Sequence, residues 1–155
     1  MKIREAVQPD FTFLGLEAED AGGALEVVAR RLGQAAGLDV GMVRDALNER
    51  EKLGSTSVGN GFAIPHCKLA NLDRIIVALA RFTAGVDFGD DKNNEPVKFF
   101  FVVLSPPDQP AEHLQVLSQI ARILKNSGLR DELVQAPDGE SAIRSIQRAG
   151  ELEGL

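Results

Sequence analysis

A chain of 155 residues, 44% hydrophobic and 26% charged, has the make-up of an ordinary globular domain and is long enough to bury a core without covalent staples. Its net charge of −6, with no Trp or Tyr, argues against a nucleic-acid partner, which would be repelled and would find few side chains to stack on. The apolar runs at 75–80 and 99–104 are far too short to span a bilayer. The opening MKIREAVQPD lacks the apolar centre of a signal peptide, so a cytoplasmic chain without membrane insertion is expected. One Cys cannot form an internal disulfide. Two His and one Cys are too few for a structural zinc site made of those residues, and no metal or cofactor is expected.

In chain order, the first strong pattern is a helix over 21–34, with Leu25, Val28 and Leu32 on one stripe and Gly37 beyond its end. Asp39 is an N-cap for a second helix reaching Lys52, whose inward stripe is Val40, Val43 and Leu47. The stretch GSTSVGNG at 54–61 lacks periodicity and is rich in turn formers, so it reads as a loop. A short strand over 62–64 is stopped by Pro65. Two stronger strands follow at 75–82 and 97–104, both near-continuous apolar runs that call for burial on both faces. The polar stretch between them has room for one more short strand.

Past SPPDQP, a helix from Pro110 to Lys125 presents Leu114, Leu117, Ile120, Ala121 and Leu124. Helices at 129–135 and 139–148 complete the chain, and the tail GELEGL is expected to fray. Without a linker or repeat to divide it, the chain reads as one domain over 1–155. Helices at both ends around buried central strands make it α/β, a three-layer sandwich with helices on both faces of the sheet.

Three polar side chains interrupt these apolar faces. His66 follows Pro65, whose fixed φ and missing N–H end strand pairing just before the imidazole, and Gly59, Asn60 and Gly61 upstream form a turn able to offer backbone N–H groups to an anion. Taken alone, His66 is better explained by a strand-terminal ring that merely satisfies one hydrogen bond. Arg50 extends the stripe Val40, Val43, Leu47 by three residues, so its guanidinium must meet an anion, snorkel out, or serve as a cation at the helix C-terminus. His113 continues the stripe Leu117, Ile120, Leu124 near the start of its helix, where a ring bonded to a carbonyl is the alternative. Together the three suit phosphoryl transfer through a phosphohistidine. A neutral imidazole is the nucleophile, an Arg fork matches phosphate oxygens, and His113, Ser55, Thr56 and loop amides donate hydrogen bonds.

Competing motifs fit poorly. The Gly loop lacks the Lys and Ser/Thr of a P-loop, and Ile64 stands at the third glycine of a dinucleotide fingerprint. Cys67 points to the opposite strand face from His66 and reads as a buried hydrophobe rather than a nucleophile. Asp90 and Asp91 lack calcium-loop spacing and read as solvated.

At EREKLGSTSVGNGFAIPHCKL, residues 49–69, the chain resembles the enzyme IIA domains of the fructose–mannitol type in the bacterial phosphoenolpyruvate-dependent phosphotransferase system, most of all their nitrogen-regulatory branch. Arg50-Glu51, Gly54-Ser55-Thr56, Gly59-Asn60-Gly61 and Ala63-Ile64-Pro65-His66 carry the match, and AEHLQVLSQIARIL at 111–124 resembles the family's later His-bearing helix. The resemblance implies a mixed sheet of about five strands. It also implies that His66 accepts a phosphoryl group from a histidine phosphocarrier protein, with Arg50 as the active-site arginine and His113 as the assisting ring. Implied partners are a IIB domain, or regulated targets such as a potassium transporter or a sensor kinase. Lacking a fused IIB or membrane domain in these residues, the chain leans to regulation; sugar transport through a IIB cysteine, or a binding module never phosphorylated, are the alternatives. Cys67, Ser57 and Phe62 depart from the Gly or Ala, Gly and aliphatic residue usual at their positions, and none removes a functional group.

Overall fold

In the computed structural model, which describes residues 1–89 and 95–155, one sheet separates two layers of helices. The chain runs α1 (Ile3–Ala6), a 3-10 turn at Pro9–Phe11, β1 (Thr12–Leu16), α2 (Ala21–Ala36), α3 (Val40–Lys52), β2 (Ser57–Gly59), β3 (Phe62–Ala63), β4 (His66–Lys68), β5 (Ile76–Val86), β6 (Val97–Ser105), α4 (Pro110–Ile123), α5 (Ser127–Gln135) and α6 (Gly139–Glu153). The sheet order is β1-β5-β6-β3-β2, with β4 also on β6. β5 and β6 are antiparallel, whereas β1 joins β5 and both β3 and β4 join β6 in parallel. The sheet is therefore mixed, as expected.

Six strands replace the expected five because Pro65 divides one ribbon in two. Phe62 pairs with Phe99 and His66 with Val103, so β3 and β4 keep the same register along β6. Pro65 has no N–H to give, yet its carbonyl accepts from Val103 N–H at 2.9 Å and the line continues.

The two apolar runs bury both faces by alternation. Val77, Leu79, Phe99, Phe101 and Val103 point to the layer of α1, α4, α5 and α6. Ile76, Ala78, Ala80, Phe100, Val102 and Leu104 point to α2 and α3. Arg81 is the one charged residue of β5, and its Nη1 donates to the Leu133 and Ala136 carbonyls at 3.0 and 2.8 Å, closing the C-terminus of α5.

Both predicted caps of the second layer are present. Asp39 accepts from Met42 N–H at 3.0 Å, and Gly37 ends α2 in the left-handed region at φ 69°.

Four sequence expectations need correcting. The loop at 54–61 contains β2, because Asn60 and Gly61, at φ 59° and 83°, make a tight two-residue hairpin turn that pairs it with β3. The last helix does not fray at 148: it runs to Glu153, where Gly154 is left-handed and Leu155 N–H donates to the Gly150 carbonyl at 2.7 Å. α4 stops at Ile123, and its buried face is His113, Val116, Ile120 and Ile123. Leu114 (66% exposed) and Ala121 point outward. The N-terminal elements, including edge strand β1, carry too short a pattern to be read in advance. The supposed short strand before β6 is partly the long end of β5, which reaches Val86; Asp90 and Asp91 lie outside the described residues.

Candidate active site

Three elements converge at the open edge of β4. Among the described residues that strand pairs only with β6, because β2 ends its pairing at β3. The free edge lets the end of α3 reach round from the opposite layer. Arg50 Nε–H donates to His66 Nε2 at 3.2 Å, and its Nη1 donates to the Gly54 carbonyl at 2.9 Å. On the other side α4 brings His113, whose ring centroid lies 5.6 Å from that of His66. The three groups singled out from apolar stripes therefore meet.

The hydrogen bonds fix the form of the His66 ring. Nδ1 lies 2.7 Å from the Ile64 carbonyl, an atom that can only accept, so Nδ1 carries the proton. Nε2 then holds a lone pair, which accepts from Arg50. Burial lowers the pKa of His66 below the ordinary histidine value; the Ile64 carbonyl opposes this and the nearby Arg50 charge reinforces it. His113 is lowered as well, first by burial and then by His66 and Lys68. Both rings are neutral at pH 7, and the outer nitrogen of His66 is a nucleophile held beside a cation.

The loop residues behave differently from expectation. Thr56 is buried, with its N–H and hydroxyl committed to the Glu51 carboxylate at 2.7 and 2.6 Å. It clamps the loop onto α3 instead of facing the ring. The clamp holds in place Gly54, which seats Arg50, and the Thr56 carbonyl, which accepts from Ile64 N–H at 2.9 Å. Ser55 is exposed and its Oγ accepts from Ser57 N–H at 3.1 Å, leaving the hydroxyl hydrogen free. Gly59, Asn60 and Gly61 are not brought to His66. They sit at the far end of the ribbon, the nearest of them, Gly61, five nearly extended residues or about 16 Å from His66. There Gly59 and Asn60 border a different groove, of about 360 Å³, also lined by Phe62, Leu124, Lys125 and Arg130.

Sequence reading missed two residues of the site. Glu51 was visible only as the neighbour of Arg50, and nothing in a helical pattern marks a carboxylate that folds back on its own loop. Ser105 is wholly buried at the end of β6, its Oγ 2.6 Å from His113 Nδ1, and stands in the sequence as one more strand residue before a Pro pair. Cys67 is buried in the α2/α3 layer, opposite the rings, and burial pushes its thiol up to about 12. Among the described residues no three His, Cys, Asp or Glu side chains gather as a metal site, and no helix is long and apolar enough to cross a membrane.

Residues 5–149 match the family described as phosphoenolpyruvate-dependent sugar phosphotransferase system, EIIA 2. The chain is similar to a nitrogen regulatory protein of Bradyrhizobium diazoefficiens, 34% identical over 146 residues and covering 94% of both chains. It is also similar to a nitrogen regulatory protein of Pseudomonas aeruginosa, 43% identical over 120 residues, which covers 77% of this chain and 75% of the relative. Among solved structures, the nitrogen regulatory protein IIA-Ntr of Neisseria meningitidis superposes with a TM-score of 0.85 at 29% identity, covering 93% of this chain and 98% of that one.

Proposed function

The chain belongs to the EIIA 2 family of the phosphoenolpyruvate-dependent sugar phosphotransferase system, and from that premise we propose that its 155 residues act as one phosphoryl-carrying unit with His66 as acceptor and a regulatory output. The donor is a histidine phosphocarrier protein. The Nε2 lone pair of His66 attacks the phosphorus of the donor's phosphohistidine. A new N–P bond forms at Nε2 as the donor's N–P bond breaks, and that electron pair returns to the donor's ring. Arg50 turns its fork from the lone pair to the phosphoryl oxygens, and His113 supplies a hydrogen bond from the other side. The chemistry asks mainly for alignment and for compensation of roughly −1.5 to −2 charges.

The single observation that carries this reading is the pairing of bonds on one ring: Ile64 takes the Nδ1 proton while Arg50 meets the opposite nitrogen. A histidine with a purely structural task has no need of a guanidinium at its lone pair. The regulatory output is supported by two relatives called nitrogen regulatory proteins, aligned over most of this chain. In that reading the added charge at His66 makes or blocks contact with a target, a potassium transporter or sensor kinase by family resemblance. The family's own description, a sugar phosphotransferase system, favours the second reading, in which the phosphoryl group passes on to a IIB cysteine.

Incubation with the phosphorylated carrier tests the assignment. Acid-labile label appears on the wild type, disappears in His66→Ala, and stays in Cys67→Ala. Label retained by His66→Ala rejects it. Discharge of the label by isolated IIB domains, with no target captured selectively by one phosphorylation state, selects transport over regulation.

A further inference from the structure

Two histidines face each other across 5.6 Å, and a phosphoryl group entering between them needs one ring to offer a lone pair and the other to offer a proton. Imidazole tautomers interconvert freely in water, so something must set the second ring. We propose that Ser105 is the positioning residue that sets it, holding His113 as the Nε2–H tautomer so that this ring donates to the incoming phosphoryl oxygens; the proposal rests on the phosphotransfer reading above.

Ser105 is 0% exposed, and its Oγ lies 2.6 Å from His113 Nδ1. If Nδ1 carried the proton and donated to Oγ, the serine hydrogen would need an acceptor of its own. Among the described residues its only hydrogen-bond partner is that ring nitrogen. A buried hydroxyl left unpaired is costly, whereas the same hydroxyl donating to an unprotonated Nδ1 satisfies both atoms. The proton of the neutral ring then sits on Nε2. The neutral form is also the one favoured by the burial of His113.

Geometry ties this arrangement to the acceptor. Ser105 pairs with Lys68 in the ladder, and its carbonyl accepts from Leu69 N–H at 2.9 Å, so its backbone is bound to the strand that bears His66. His113 comes from a separate layer, and the serine hydroxyl fixes its ring relative to β4. The two rings are thereby opposite tautomers: His66 protonated on Nδ1 and His113 on Nε2. A pair in the same tautomer would present two lone pairs or two protons to one phosphoryl group.

Nitrogen-15 spectra of the histidine side chains at pH 7.5 read each tautomer directly, and transfer from the phosphorylated carrier reads the consequence. In the wild type, His113 shows the Nε2–H pattern. In Ser105→Ala that pattern gives way to a mixture, and transfer slows about fivefold, the factor carried by one neutral hydrogen bond of ordinary strength. A wild-type His113 protonated on Nδ1 overturns the proposal, and this holds even if the variant does not fold. An unchanged tautomer in a folded Ser105→Ala overturns it too, as does a shifted tautomer with transfer at the wild-type rate. Failure of the acceptor assignment shows separately, as label absent from His66 while the His113 pattern stands.

Discussion

Replacing Arg50 by Ala separates the chemistry of the site from the stability of the fold. Its side chain makes two hydrogen bonds, at 3.2 Å to His66 Nε2 and 2.9 Å to the Gly54 carbonyl, and it is half-buried at the end of α3. The first bond is only part-buried and the second is exposed, so losing them costs about 1 kcal/mol or less of folding stability. Once a phosphoryl dianion sits on Nε2, the same guanidinium makes charge-assisted bonds to its oxygens, worth about 1.5–3 kcal/mol, or roughly 10- to 100-fold in the rate and extent of transfer. Arg50→Lys keeps the charge but loses the planar fork, so it falls between the two. Transfer is followed with radiolabelled carrier, and stability by urea unfolding of the same samples. Wild-type transfer by a folded Arg50→Ala would refute the reasoning, and a loss of transfer matched by a large loss of stability would reassign Arg50 to the scaffold.

Three other outcomes follow from the geometry. Thr56→Val removes a hydroxyl bonded to the Glu51 carboxylate and lowers stability by about 1–3 kcal/mol in urea unfolding, with a smaller effect on transfer because the backbone N–H remains in the clamp. The Cys67 thiol, buried and pushed up to about 12, stays unreactive toward an aromatic disulfide reagent in the native protein at pH 8 and reacts once the chain is unfolded. Both histidines sit below their ordinary value, so phosphoryl acceptance declines with falling pH as His66 protonates and loses its lone pair, with its midpoint below the ordinary histidine value of about 6.5. Stability shifts with the same sign. The unfolded chain takes up protons near pH 6.5 before the native rings do, so their contribution is complete above that pH and drains away as pH falls through the lowered native values.

Much of this site is legible in the sequence. An Arg or His placed on an otherwise apolar helical stripe must be aimed where the stripe is aimed, and that sufficed to bring Arg50 and His113 toward the sheet edge. What periodicity could not supply was distance along a strand. Gly59, Asn60 and Gly61 lie close to His66 in sequence, yet five nearly extended residues carry them to the other end of β6. The Asn60-Gly61 pair held the clue, since it is a hairpin signal rather than an anion cradle. Thr56 escaped correct reading because its partner, Glu51, sits in the preceding helix, and Ser105 because a buried serine looks like any other small strand residue. In the fold, the continuous apolar runs announced a doubly covered sheet, while the register that makes β3 and β4 one interrupted ribbon depends on backbone pairing that no residue type encodes.

One nitrogen atom, Nε2 of His66, carries the chemistry. Phosphorus–nitrogen correlation in the nitrogen-15 and phosphorus-31 spectra of the labelled, phosphorylated protein locates the new bond. Coupling of the phosphorus to Nε2 of His66, with Nδ1 still protonated toward Ile64, is the predicted result. Phosphorus bonded to Nδ1 of that ring, to His113 or to the Cys67 sulfur would contradict it.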